Sequence, residues 1–262
     1  MLVSMRDSVY RIYLDFLETA EKKRRWSVFD DIPWSELDVS KATVADAQRV
    51  EIFCSEELYV PDYTSNGIEL VRSMFGMAWF QSRWAFEESK HGLVFREYLI
   101  RSGLRSETEI EALETTVFSK LWTLPYRTPR QMACYGALQE GATYIAYKAQ
   151  KESARCAGDK VLEAIFHFVG RDEAAHGGFY RAVIELELLR DRAGTVADLA
   201  NVLCTFKMPG DGLIPDYRQR LQTSGAGVSP RAFLERVVHP LLSTLQISRR
   251  ELKDCEAKSR SL

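Results

Sequence analysis

Long uninterrupted apolar runs are missing from this sequence of 262 residues. Charged residues break every hydrophobic segment well before membrane-spanning length, and the first residues lack a basic head followed by an apolar run. We therefore expect neither a signal peptide nor a membrane span. A strong charge bias is missing too, because 35 basic residues face 37 acidic ones. The overall charge therefore gives no reason to expect nucleic acid as a partner.

Cysteine is scarce, and its arrangement fits neither a disulfide framework nor a thiolate zinc site. The number of cysteines is odd, they are widely scattered, and no two form a C-x-x-C pair. They are Cys54, Cys134, Cys156, Cys204 and Cys255. This usage fits a reducing, cytoplasmic location.

Glycine and proline are few in the middle of the chain, where apolar residues recur at helical spacing. The pattern predicts an all-α protein with one domain, 1–262, built on a four-helix bundle core with additional flanking helices. Bundle helices are predicted over 43–64, 68–101, 130–157 and 159–190, with breaks at Ser65-Asn66-Gly67 and Gly158. Flanking helices are predicted over 3–25, near 106–121, after Gly194 and from Ser229 to the basic tail, with irregular segments at 26–34 and 207–215.

Two of the four histidines occur in the same short pattern on two different predicted helices, as Glu88-Ser-Lys-His91 and Glu173-Ala-Ala-His176. Residues three apart project from one helix face, so each Glu and His can reach one metal ion. A single Glu-x-x-His is weak evidence, but bundle di-iron sites use two such pairs and one more Glu from each remaining helix. The repeat therefore predicts a two-metal site inside the bundle.

The remaining two helices offer candidate carboxylates in apolar surroundings. Glu140 is flanked almost entirely by apolar or small residues, where a bare carboxylate would be costly unless it binds a metal. The other helix offers Glu56 or Glu57, and only one of two adjacent residues can face the metals squarely. Four carboxylates and two imidazoles favour iron or manganese. Asp172, directly before Glu173, is suited to accept the free ring N–H of a ligand histidine across the bundle.

These motifs resemble those of the soluble acyl-carrier-protein desaturases, a family of ferritin-like di-iron enzymes. Trp84-Ala-Phe-Glu-Glu88-Ser-Lys-His91-Gly92 is similar to the family's Trp-x-x-Glu-Glu-Asn-Arg-His-Gly, and Asp172-Glu173-Ala-Ala-His176 to its Asp-Glu-Lys-Arg-His. Gln139-Glu140-Gly-Ala-Thr143 resembles Gln-Glu-Arg-Ala-Thr, and Lys207-Met208-Pro209 resembles Ser-Met-Pro. The resemblance implies Glu140 as a metal ligand and Thr143 as a hydroxyl beside the oxygen-binding face. It also implies that Trp26, matching a surface Trp, relays electrons through Asp172.

The motif around the first ligand departs from the family pattern. The family's Thr-Glu-Glu-Ala-Leu-Pro has its ligand four residues before the proline, and here Pro61 comes one residue later. Spacing from Pro61 favours Glu57, which we rank first, whereas alignment on Ser55-Glu56-Glu57 favours Glu56. The stretch between this glutamate and Glu88 is also shorter than in the plant enzymes. We therefore expect the substrate channel to differ from theirs.

The function that the resemblance implies is dioxygen-dependent introduction of a cis double bond into an acyl chain carried on acyl carrier protein. The implied cofactor is two iron ions, and the implied partner is a ferredoxin-type electron donor. The acidic carrier would meet a basic patch, for which the densest candidate is Lys22-Lys-Arg-Arg25. A related di-iron hydroxylase or N-oxygenase and a ferritin-like ferroxidase would share the ligands and remain alternatives.

Two further expectations concern apolar surfaces. An acyl chain requires an apolar tunnel, and its candidate lining, each member of which could equally be ordinary core, is Met77, Phe80, Trp84, Tyr144 and Tyr147. The resemblance also implies a homodimer formed through bundle helices. A second apolar stripe on the helix predicted over 68–101 is the candidate interface, unless outer helices cover it within one chain. That stripe is formed by Met74, Phe75, Ala78, Trp79 and Ser82.

Overall fold

The computed structural model describes residues 4–252, and this part of the chain is helical with no strand. The predicted all-α class is confirmed. Short non-α turns lie at Trp34–Glu36 (3-10) and Leu234–Val238 (π). The helices are α1 Met5–Lys23, α2 Val44–Glu57, α3 Val60–Val71, α4 Phe75–Arg101, α5 Glu107–Phe118, α6 Pro129–Ala157, α7 Lys160–Arg190, α8 Arg192–Thr205, α9 Tyr217–Ser224, α10 Pro230–Phe233 and α11 His239–Thr244.

Four helices form the bundle. Helix α2 packs on α4, α6 packs along α7, and α4 meets α7 in the interior. Around them, α1 lies against α4 and α7, α3 against α4, α8 against α6 and α7, and α9 against α2. This is the predicted core with flanking helices. No helix within 4–252 combines the length and apolar character needed to cross a membrane.

Side-chain caps explain where several helices begin. Thr43 and Asp46 form a reciprocal capping box at the start of α2, and Ser106 and Glu109 do the same for α5. Helix α6 ends at Gly158, whose φ of 74° is the left-handed conformation that glycine adopts without strain. The predicted break at Gly158 is therefore found.

The predicted break at Ser65-Asn66-Gly67 is wrong. Helix α3 runs through this segment, and the chain breaks instead at 58–59 and 72–74. Gly67 provides a close approach rather than a turn, because a Cβ there would lie 3.0 Å from Oε1 of Gln81 on α4. Proline starts the helix, since Pro61 occupies its first turn, where a missing N–H costs no hydrogen bond.

The chain ends differ from expectation in smaller ways. Helix α1 ends at Lys23 rather than at residue 25, and α8 follows α7 after Asp191 alone, before the expected start at Gly194. The predicted last helix is divided into α10, the π turn and α11, which ends at Thr244, and helical residues resume at 249–252. Val3, Cys255 and the basic tail lie outside the described residues.

The bundle interior has two apolar clusters. One is centred on Phe80, which stacks on Phe179 at a ring distance of 3.6 Å, and also contains Met77. The other is centred on Phe53 and Phe95, with rings 5.9 Å apart. Between the two clusters lies a layer of buried carboxylates and imidazoles. Close packing above and below this layer buries its side chains.

The second apolar stripe on α4 is partly covered within the chain, because Met74, Phe75 and Ala78 are half-buried whereas Trp79 and Ser82 are exposed. The ring of Tyr10 on α1 lies 5.2 Å from that of Phe75 and 5.9 Å from that of Trp79. Arg6 sits over Phe75 at 4.5 Å. Trp79 nevertheless keeps 49% of its surface exposed.

Candidate metal centre

Six of the predicted metal ligands converge in the layer between the apolar clusters. They form two groups whose ligand atoms all lie within 4.8 Å of one another. Glu88 and Glu173 belong to both groups, the geometry expected of carboxylates that bridge two metal ions. The first group is Glu57, Glu88, His91 and Glu173, and the second is Glu88, Glu140, Glu173 and His176.

The two histidines point the same ring nitrogen into the cluster. Nδ1 of His91 lies 3.2 Å from a carboxylate oxygen of Glu88 and 3.2 Å from one of Glu173. Nδ1 of His176 lies 2.9 Å from Glu88 and 3.6 Å from Glu140. Each Glu-x-x-His pair therefore presents one carboxylate and one imidazole to a shared interior point, as its helical spacing predicts.

Glu57, and not Glu56, faces the cluster. An oxygen of Glu57 lies 3.9 Å from Nδ1 of His91 and accepts a 2.8 Å hydrogen bond from the hydroxyl of Tyr147. Glu56 turns towards α9, where it accepts a 2.5 Å hydrogen bond from Tyr217. The geometry agrees with the spacing from Pro61 rather than with the alignment on Ser55.

The outer nitrogen of each histidine meets a carboxylate from the opposite helix. Nε2 of His91 lies 3.4 Å from Asp172, and Nε2 of His176 lies 2.8 Å from Glu87. The sequence interpretation included Asp172 but missed Glu87. The signal was present, because an acidic residue directly precedes the Glu of both Glu-x-x-His pairs.

Arg24 and Trp26 complete this outer shell. Arg24, only 7% exposed, forms a 2.7 Å ion pair with Asp172 and approaches Glu87 to 3.5 Å. The indole N–H of Trp26 donates to the other oxygen of Asp172 over 2.7 Å. The run Lys22 to Arg25 is therefore not a uniform docking patch, because Arg24 turns into the bundle.

Trp26 is not a surface residue, contrary to the expectation from the resemblance. Its exposure is 6%, its ring stacks on Phe168 at 5.3 Å, and the Lys90 ammonium covers its face at 4.3 Å. Its ring also lies 6.3 Å from that of His91. Trp26, Asp172 and His91 thus form a continuous contact from beneath Lys90 to the cluster.

Several buried atoms of the cluster make no hydrogen bond of acceptable geometry in the described part of the chain, although some lie at ion-pair distance from one another. Each belongs to a predicted metal ligand; they are Glu88 Oε1, Glu140 Oε2, Glu173 Oε1 and His176 Nδ1. Unpaired buried polar atoms are costly, and bare carboxylates in contact repel one another. Two divalent cations would pair these atoms and neutralise four carboxylates. The residues present therefore fit a pair of iron ions.

The pKa values of the cluster's side chains reflect the same excess of carboxylates over cations. Burial and the neighbouring Glu88 raise the pKa of Glu57 well above its ordinary value. Burial, Glu88 and Glu140 do the same for Glu173. Burial opposes charge on His91 and His176, but the surrounding carboxylates outweigh it and raise both pKa values. The cluster therefore holds protons where metal ions would sit.

A narrow cavity adjoins the cluster. Its wall includes Trp84, Thr143 and Tyr147 together with the ligands Glu57 and Glu88. The hydroxyl of Thr143 donates to the backbone oxygen of Gln139 over 3.1 Å, which fixes it on the cavity side of α6. Of the other predicted lining residues, Met77 and Phe80 belong to the apolar core and Tyr144 lies outside the cavity wall.

The profile of the family described as "Fatty acid desaturase" matches residues 61–223. A Mycobacterium tuberculosis protein named acyl-[acyl-carrier-protein] desaturase DesA1 is 25% identical over 251 residues, covering 86% of this chain and 72% of that protein. The rice protein named acyl-[acyl-carrier-protein] desaturase 7, chloroplastic, is 30% identical over 152 residues, 55% of this chain and 38% of its own length. The solved structure of DesA2 from M. tuberculosis H37Rv shares the fold, with a TM-score of 0.65, 19% identity and coverage of 96% of this chain and 98% of that one.

Proposed function

The chain belongs to the fatty acid desaturase family, and we propose that it is an acyl-carrier-protein desaturase with two iron ions as its cofactor. Its reaction removes two hydrogens from neighbouring carbons of a carrier-bound acyl chain and leaves a cis double bond. The observation that carries the proposal is the pair of carboxylate-histidine groups that share Glu88 and Glu173 at the wall of a buried cavity.

The proposed ligands are Glu57, Glu88, His91, Glu140, Glu173 and His176. When bound, iron supplies the activation of dioxygen that hydrogen abstraction from an unactivated carbon requires. The chain itself binds and orients the ions, excludes water between its two apolar clusters, and positions one pair of methylenes. Thr143 faces the cavity from α6, and we propose its hydroxyl, which donates to the backbone oxygen of Gln139, as a polar group that borders the face where dioxygen would react.

We infer that electrons from an external, ferredoxin-type donor enter through Trp26. The contacts from Lys90 over Trp26, and then through Asp172 to His91, support this route. Burial opposes charge on Asp172, but the hydrogen bond to His91, the charges of His91 and His176 and the hydrogen bond from Trp26 outweigh burial and lower the pKa of Asp172 to about 2. An ionised Asp172 holds the N–H of His91 and fixes its tautomer.

Docking of the carrier protein and assembly are part of the proposal. With Arg24 inside the bundle, the basic residues available to an acidic carrier at the end of α1 are Lys22, Lys23 and Arg25. A homodimer would bury the exposed half of Trp79. We expect a reducing cytoplasm as the location.

The test is product analysis of the iron-loaded protein. The protein is given saturated acyl-carrier thioesters, dioxygen and a chemical reductant, and the acyl chains are analysed by mass spectrometry. Loss of two hydrogens, with about two irons per chain and no product from His176→Ala, supports the desaturase. Oxygen insertion would indicate the hydroxylase alternative, and oxygen consumption that is indifferent to the acyl chain would indicate a ferroxidase.

A further inference from the structure

The cavity has a polar inner end. The side-chain amide of Gln81 donates a 2.5 Å hydrogen bond to the hydroxyl of Tyr180, and both residues line the cavity at exposures of 1% and 3%. Gln81 lies two helical turns before Glu88 on α4, roughly 10 Å along the axis from the metal cluster. Trp122 and Pro209, which are partly exposed, also line the cavity.

This inner end has unused hydrogen-bonding capacity. The bond between them uses the side-chain amide N–H of Gln81 and an acceptor lone pair of Tyr180, so it does not use the carbonyl oxygen of Gln81 or the O–H proton of Tyr180. A further hydroxyl without a partner among residues 4–252 belongs to Tyr63, which lies elsewhere on the cavity wall with its ring 4.8 Å from that of Trp122. Burial raises the pKa of Tyr63 and Tyr180 well above its ordinary value, so both stay neutral donors.

Two glycines make room for the polar pair. A Cβ on Gly67 of α3 would lie 3.0 Å from Oε1 of Gln81, and a Cβ on Gly136 of α6 would lie 2.5 Å from the ring of Tyr180. Helices on both sides therefore lack a side chain where the pair sits. An amide and a phenol are thus accommodated deep in the bundle, where aliphatic side chains would be the simpler filling.

A plain saturated chain would leave these groups unpaired, because methylenes neither donate nor accept hydrogen bonds. We propose that Gln81 and Tyr180 form a subsite for an oxygen-bearing group on the substrate. The inference rests on the proposed function and narrows its substrate class. The acyl chain carries a hydroxyl or carbonyl group on the far side of the reacting carbons, while the thioester end lies towards Trp122 and Pro209.

The test is binding, not turnover. Saturated acyl-carrier thioesters from decanoyl to octadecanoyl and their terminally hydroxylated counterparts are titrated calorimetrically into iron-loaded protein without dioxygen. One new hydrogen bond is worth about tenfold in affinity, so at least one hydroxylated chain is expected to bind about tenfold tighter than its parent. The double variant Gln81→Leu/Tyr180→Phe is expected to lose this preference and to bind the saturated chains more tightly than the natural protein does.

Controls separate the subsite from general effects. Tyr126→Phe removes another buried hydroxyl, outside the cavity wall, and should keep the preference. Iron content is measured for each variant. If saturated chains bind as well as hydroxylated ones and are desaturated, this inference is overturned and the proposed function stands. Retention of the preference in the double variant also overturns it, and if no thioester binds, both proposals fail.

Discussion

Replacement of Arg24 by Met tests whether the charge of this residue belongs to the metal centre. Arg24 and Arg25 are adjacent in the same basic run, yet their surroundings are opposite. The side chain of Arg24 is 8% exposed and pairs with Asp172 at 2.7 Å, whereas that of Arg25 is 75% exposed and lies 3.8 Å from Glu21. Arg25→Met is therefore a matched control with the same change of charge and shape.

The expected magnitudes follow from burial. Removing one partner of a buried ion pair leaves an uncompensated charge and costs about 3–5 kcal/mol, whereas an exposed pair contributes about 0–1 kcal/mol. Asp172 keeps its bonds to Trp26 and His91, and Glu87 keeps Arg83 at 3.0 Å, so we expect the lower end, about 3 kcal/mol. For a chain of this size that lowers the melting temperature by roughly 6–12 °C.

The assay is thermal and urea unfolding of metal-free and iron-loaded protein, followed by circular dichroism, with iron content measured in parallel. We expect Arg24→Met to be destabilised in the metal-free form, to bind iron more weakly, and to differ clearly from Arg25→Met. Equal stability of the two variants would refute the view that Arg24 supports the metal centre. Arg24 would then again be a candidate for binding the acidic carrier protein.

The other predictions use the same measurements. Glu57→Gln is expected to lose about one iron per chain while Glu56→Gln keeps both, because only Glu57 faces the cluster; the reverse result in metal analysis would exchange their roles. Trp26→Phe should retain iron but be reduced more slowly by a protein donor than by a small chemical reductant, as stopped-flow spectroscopy would measure; equal slowing with both reductants would contradict the route. Gly136→Ala should cost about 1–3 kcal/mol because its Cβ would meet the Tyr180 ring, whereas Gly178→Ala, with nothing within 4 Å, should be neutral or stabilising by up to about 1 kcal/mol. The metal-free fold should lose stability as the pH rises above about 5, where the glutamates of the unfolded chain have released their protons. There the unfolded chain has released protons that the raised pKa values of Glu57, Glu173 and both histidines retain in the folded state, and iron should flatten this dependence.

The bundle and the two Glu-x-x-His pairs were predictable because both depend on helical period, whereas Glu140 followed from its apolar surroundings and Glu57 from the spacing to Pro61 in the family motif. A Glu and a His three apart share a face whatever surrounds them, and a face carrying two charged groups on an apolar helix must point at a compensating partner. Gly158 was equally clear, since glycine after a long helical pattern ends it in the left-handed conformation.

The predictions that were wrong concern features that depend on tertiary contacts. The segment Ser65-Asn66-Gly67 has the composition of a turn, but the lack of a Cβ at Gly67 allows α3 to pack closely against Gln81. Arg24 reads as one member of a solvated basic run, and nothing local shows that it alone is buried. The cavity wall could not be separated from the core by pattern either, because Phe80 and Trp84 lie on the same helix and only one of them borders the cavity.

An acidic residue precedes each of the ligand glutamates Glu88 and Glu173. Its position can be read from the sequence, but its contact depends on how the helices pack. Adjacent residues are about 100° apart on a helix, so Glu87 and Asp172 cannot face the metals together with Glu88 and Glu173. Each instead reaches the histidine of the opposite helix, so α4 orients the imidazole of α7 and α7 orients that of α4. A small rotation of either helix would disturb both histidines at once. Because Arg24 contacts both carboxylates, α1 supports this arrangement without supplying a ligand.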